Sequence, residues 1–239
     1  MYADIYGIGW LSAAGLGWGE RGKIPDFSQL ELPALRRKDI FHEPDLRFGR
    51  LDLFSKIGLS AITLALRDAE MEAWEQKRDI GLIAATRSGS LSADREYFQT
   101  VLAPDEPASP QLFAYTLSTC FLGEASIRFG LTGPAATIAS PESDPLPWLS
   151  QAIEMLADGE AAAMLAGWCD LPDHFSPYTA AGALFCLLAR PGAIPAPPRV
   201  RVQLGLNGTI TIANQTITTR EQLVRACRHT IAPARGEQP

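Results

Sequence analysis

The 239-residue sequence predicts an α/β layered sheet with parallel members. Short apolar runs rich in small or β-branched residues recur at 79–85, 135–139, 161–167 and 182–189. Stretches with apolar residues at helical spacing stand between them, clearest at 52–71 and again at 92–101 and 119–129. Strands that alternate with helices give parallel neighbours, because a parallel partner is reached only through a crossover.

Each element has its own local reason. Residues 3–10 alternate and then run apolar into glycines, a first strand entering a turn. Residues 20–46 carry Pro25, Pro33 and Pro44 and read as an irregular excursion. Residues 103–110 read as a Pro-rich loop. Gly130 closes the helix of 119–129. Asp144 reads as an N-cap with Pro145 at the first helical position, for a helix running to Asp158 and ended by Gly159. Past a Pro-rich break at 190–198, Val200, Val202, Leu204 and Leu206 alternate up to Asn207-Gly208, and Ile210 and Ile212 alternate after it. That pattern predicts a hairpin. Thr218-x-x-Glu221 predicts a capping box opening a last helix to about residue 229. Two units are expected: 1–190, and a hairpin-helix extension at 191–239 packed on it.

The totals exclude several classes. A formal charge of −6 lacks the basic face that nucleic acid or an anionic membrane requires. It also disfavours this chain as the main dock for an acidic carrier protein. Cys120, Cys169, Cys186 and Cys227 have no framework or metal spacing and read as reduced thiols. The start has no signal-peptide pattern, and no clean apolar run reaches eighteen residues. A soluble, cytoplasmic chain without metal or cofactor is expected.

Three segments together resemble the β-ketoacyl synthases. RFGRLDLFSKIGLSAITLALRDA (47–69) resembles their arginine-rich loop and first long helix. DIGLIAATRSGS (79–90) resembles their second strand and small-residue turn, and SPQLFAYTLSTCFLGEASIRFGLTGPAATIAS (109–140) the stretch leading to their nucleophile. The likeness covers roughly residues 1–190 and implies the N-terminal half of a thiolase-like fold, a mixed, mostly parallel sheet with helices on both faces. In the family a cysteine lies eight residues beyond the Gly-Pro. Counting from Pro134 gives Glu142. The family's two catalytic histidines and lysine find no match in His42, His174 or His229. Condensation needs a thiolate to hold the acyl group and histidines to stabilise the enolate.

The resemblance therefore implies a non-catalytic paralogue, a chain-length-factor-like subunit such as those of aryl polyene systems. It pairs with a full-length synthase that holds the missing groups and meets the acyl carrier protein only indirectly. The strand Ala135, Ala136, Thr137, Ile138 and Ala139 is expected to lie at the pseudo-twofold axis. Leu112, Phe113 and Tyr115 are expected to bound the partner's acyl tunnel, with Glu142 as a capping or interface anion. Two other readings stay open: an acyl hydrolase or transferase using Ser140, Ser143 or Cys120, and a homodimeric binding or scaffold protein. TRSGS (86–90) has one glycine and no Walker pattern, so it is not expected to cradle a phosphate. Arg36, Arg37 and Lys38 read as a solvated loop with a possible carrier contact.

Overall fold

The computed structural model describes residues 1–43, 45–103, 107–141, 144–172 and 180–228. The chain opens on an eleven-residue strand, β1 (Tyr2–Ser12), which turns back as β2 (Gly15–Trp18). The excursion that follows holds only a short helix, α1 (Arg37–Ile40), and a 3-10 turn at Phe48–Arg50. Helix α2 (Leu53–Asp68) starts where the Asp52 side chain accepts from the Ser55 N–H at 3.1 Å. Strand β3 (Ile80–Thr86) leads to α3 (Leu91–Leu102), α4 (Pro110–Phe113) and α5 (Cys120–Phe129). Next come β4 (Ala135–Ala139), α6 (Pro147–Asp158), β5 (Ala163–Asp170) and β6 (Gly182–Ala189). The described chain closes with β7 (Val200–Leu204), β8 (Ile210–Ile212), β9 (Gln215–Thr216) and α7 (Arg220–Arg228).

All nine strands join one sheet in the order β4-β3-β5-β6-β1-β7-β8-β9, with β2 paired to β1 off that path. β3 pairs parallel with both β4 and β5. β6 runs antiparallel between β5 and β1, so β4, β3, β5 and β1 share one direction. The hairpin strands beyond β1 are antiparallel. β5 and β6 are buried along their whole length, which is why they read as continuous apolar runs rather than alternating ones.

Helices cover both faces, as expected. On one face α2 and α5 bury Phe54, Ile57, Phe121 and Phe129 against Leu82, Leu165 and Phe185. On the other, α6 and α7 bury Trp148, Leu149, Leu223, Val224 and Cys227 against Ile8, Trp10, Ile83 and Trp168. Gly7 and Gly9 of β1 have no room for a Cβ, because the backbone of α2 at Ala65 lies against them. The hairpin strand β7 extends the sheet from β1, where Arg201 pairs with Asp4 at 2.7 Å, and Arg199 just before it pairs with Asp68 at the end of α2.

Four expectations need correction. The segment 103–110 is not loop to its end: Ser109 caps α4 by accepting from the Leu112 N–H, and Pro110 is its first residue. Asp144 does not cap α6. Its carboxylate accepts from the Leu146 N–H at 2.9 Å, a local turn, and the helix starts at Pro147 rather than Pro145, because Pro147 supplies the same fixed φ two residues later. The last capping box is shifted by one residue. Thr219 Oγ1 accepts from the Gln222 N–H and Gln222 Oε1 from the Thr218 N–H, since Thr219-x-x-Gln222 fits the pattern as well as Thr218-x-x-Glu221. The hairpin at Asn207-Gly208 is present, but a second turn follows at Ala213-Asn214. Both residues there have positive φ, and that turn adds β9.

Candidate functional site

Strand β4 is the edge of the sheet. Among the described residues it pairs with β3 alone, and Ala135, Ala136 and Ala139 are exposed. The Leu82 N–H bonds Pro134 O, and the Ser140 N–H bonds Thr86 O, so the even-numbered residues of β4 face β3. By the alternation of the ladder, the N–H and C=O groups of Ala135, Thr137 and Ala139 point away from the sheet. Open edges of this kind pair with another chain unless they are blocked. No proline, lysine or bulge blocks this one: the side chains are three alanines, a threonine and an isoleucine.

Beside the edge stands an arm made of α3, α4 and the loop to α5. The Ser118 and Thr137 hydroxyls lie 3.0 Å apart and join the arm to β4. Phe113 is 60% exposed, and its ring packs on Tyr97 of α3, with centroids 5.3 Å apart. It is not a core aromatic. Leu112 and Tyr115, three residues apart, face the other way. They line a cleft of about 240 Å³ with Arg50, Leu53, Ser92 and Leu171. The three residues thus divide between an outer surface and an inner cleft.

Sequence reasoning missed the outer face of α3. Ala93 is its one buried residue, while Phe98, Val101 and Leu102 are all exposed. Their 3–4 residue spacing is visible in the sequence, but spacing alone does not say whether a stripe meets its own core or another chain.

The turn from β3 into α3 resolves the TRSGS reading. It does gather backbone donors around an anion, and the anion is the chain's own. The Asp170 carboxylate, at the end of β5 and fully buried, accepts from Thr86 Oγ1 at 2.8 Å and from the Ser88 N–H at 2.9 Å. It also accepts from the Arg87 N–H at 3.0 Å and Trp168 Nε1 at 2.8 Å. Burial pushes the Asp170 carboxyl above its ordinary range, while these donors pull the other way. The signal in the sequence was a lone acid closing the apolar run AMLAGWCD.

The elbow after β4 holds Ser140, whose hydroxyl is buried and meets no hydrogen-bond partner among the described residues. A serine nucleophile needs a base within reach, and none of the described residues hydrogen-bonds its hydroxyl. Glu142 and Ser143 lie outside the described residues, as do His174 and His229. Cys120 is half-buried at the start of α5, and its Sγ donates to Ala114 O. Burial raises its thiol against the pull of the Leu117 backbone, and the carboxylates of Asp52 and Glu124 add to the rise, which disfavours the thiolate. His42, Arg36, Arg37 and Lys38 are exposed on the excursion. No group of three metal-ligating side chains occurs among the described residues.

The parallel strands β4, β3 and β5 with helices on both faces agree with a thiolase-like ketosynthase fold, which comparison with known proteins shows. The chain belongs to the β-ketoacyl synthase N-terminal domain family, whose model matches residues 34–194. A polyketide β-ketoacyl synthase 2 from Streptomyces virginiae is 28% identical over 132 residues, covering 54% of this chain and 32% of that protein. The chain matches less than half the length of the curated relatives it resembles. The ishigamide ketosynthase/chain length factor superposes with a TM-score of 0.65 at 17% identity, covering 87% of this chain and 68% of that one. The complex of a ketosynthase with its chain length factor from Xenorhabdus doucetiae gives a TM-score of 0.55 at 15% identity, covering 80% and 79%. No helix among the described residues is long and apolar enough to cross a membrane.

Proposed function

We propose that this chain is a non-catalytic, chain-length-factor-like subunit that pairs with an active β-ketoacyl synthase in a type II polyketide or fatty-acid-type pathway. The exposed β4 edge carries the reading. Its three outward N–H and C=O pairs and small side chains suit an antiparallel strand from a homologous partner, brought to close approach. The arm that Ser118 joins to it adds Phe98, Val101, Leu102, Phe113 and Leu117, each at least 49% exposed. Phe113 would meet the partner near its acyl tunnel, and Leu112 and Tyr115 would set the arm's inner packing. Glu142 stands where the family's cysteine would be, and a carboxylate cannot form the acyl thioester. The tail from residue 191 would serve as a second unit, a hairpin-helix extension packed on residues 1–190. An aryl polyene pathway, the indirect meeting with the acyl carrier protein and a cytoplasmic location belong to the same reading.

Co-expression with a full-length synthase encoded beside it tests this. The expected result is a heterodimer by size exclusion and light scattering, with condensing activity that depends on the synthase cysteine. Condensing or acyl-hydrolysing activity by this chain alone would overturn it. So would a stable homodimer that ignores the synthase.

A further inference from the structure

The carboxyl ends of β3 and β5 mark the point where the chain turns opposite ways. It leaves β3 towards β4 on one side and β5 towards β6 on the other. In α/β sheets such a switch point opens a crevice where ligands settle, and backbone N–H groups there favour anions. Here the position is filled from within, because Asp170 takes four different donors on its two oxygens.

The turn it holds is the root of the arm. The Gly89 N–H donates to Thr86 Oγ1, the same hydroxyl that donates to Asp170. Ser90 Oγ, on the next residue, donates to Thr116 O at 2.7 Å, which ties the start of α3 to the loop after α4. Two residues further on, Ser118 meets Thr137 of β4. One run of hydrogen bonds therefore leads from the interior of β5 to the edge strand. Among the described residues α3 buries only Ala93 and α4 buries none, while Tyr115 packs partly on the core and Cys120 Sγ donates to Ala114 O.

We propose that Asp170 is a positioning residue, an internal anion that occupies the switch-point nest and sets the α3–α4 arm against the β4 edge. That Asp170 fixes the arm stands on the geometry alone. That the arm is thereby aimed at a partner rests on the function proposed above, and the experiment separates the two.

Hydrogen exchange is followed on the full chain, free and with the synthase, for wild type, Asp170→Gly and Asp170→Asn. Asp170→Gly leaves the donors in place around a space fit for a small carboxylate. Its amides at 91–103 and 107–118 are expected to exchange about tenfold faster or more, while those of α2 and β6 keep their protection. Added formate should restore slow exchange in the arm, and chloride at equal ionic strength should not. Equal loosening of α2, β6 and the arm, or no response to formate, overturns the proposal. If Asp170→Gly does not fold, Asp170→Asn decides. Its amide presents a donor to a cluster of donors, so loosening confined to the arm supports the proposal. Loosening spread over the whole chain, or none, overturns it. Synthase binding is then read on the same samples. An arm that loosens and recovers with formate, while binding stays unchanged, leaves Asp170 as the fixing group and refutes the partner-facing reading.

Discussion

Asp68 shows how one buried carboxylate ties the tail to the sheet. Its side chain is 3% exposed, accepts from the Ile8 N–H at 2.9 Å, and forms a two-point ion pair with Arg199. Removing one member of such a pair strands the other, at about 3–5 kcal/mol. Burial already pushes the Asp68 carboxyl above its ordinary value against the pull of Arg199. In Arg199→Met that rise grows, so above an unfolded value of about 3.9 the folded state binds more protons than the unfolded one. Stability of the variant then falls as pH rises through that window. Its deficit against wild type should be largest at neutral pH and shrink towards pH about 5, read by urea unfolding at both. A deficit independent of pH would show that Asp68 is not the stranded charge. Cys120 gives a second test at this scale. Its raised thiol should alkylate more slowly than a free cysteine at neutral pH, and Cys120→Ala should leave product formation by the complex unchanged. Rapid alkylation, or loss of turnover in an assembled complex, would reinstate it as a nucleophile.

At the scale of elements, β4 can be altered on one side only. The N–H of Ala135 and of Ala139 points away from β3, so proline at either position spares the internal ladder and removes a donor from the edge. Ala135→Pro and Ala139→Pro should each weaken synthase binding tenfold or more, about 1.4 kcal/mol, with little change in the melting temperature of the free chain. Unchanged affinity would argue that β4 is not the paired edge. Phe113→Ala removes an exposed ring from the arm and should shift product length upward at equal complex concentration, measured by mass spectrometry of released acyl chains. The parts that were legible in the sequence are those with purely local causes. β4 and β6 follow from apolar runs bounded by glycine or proline, and α5 from its spacing and Gly130, whose φ of 63° closes it. The start of α6 and the last capping box were misplaced because neighbouring residues offered the same chemistry. Asp170 and the outer face of α3 were invisible for another reason. Their meaning depends on contacts between segments more than eighty residues apart, or on a surface that only the folded chain displays.

Across the whole molecule, the tail and the edge have opposite characters. β7, β8 and α7 place Val202, Leu204, Ile212, Leu223 and Val224 in the same core as Trp10, Trp148 and Trp168. Full burial of such side chains contributes about 1.5–3 kcal/mol apiece. Deletion from Pro198 onward should therefore lower the melting temperature sharply or prevent folding, and an unchanged melting temperature would refute the tail's structural role. The β4 side has no such cover among the described residues, so at micromolar concentrations the lone subunit should self-associate by light scattering and become monodisperse once the synthase is added. That open edge also bears on gene dosage. A polypeptide that hides its sticky border only inside a complex is exposed to chaperones and proteases whenever it is made in excess. Its steady-state amount would then follow the supply of its companion rather than its own rate of translation, and the two genes would be expected to be read in fixed proportion.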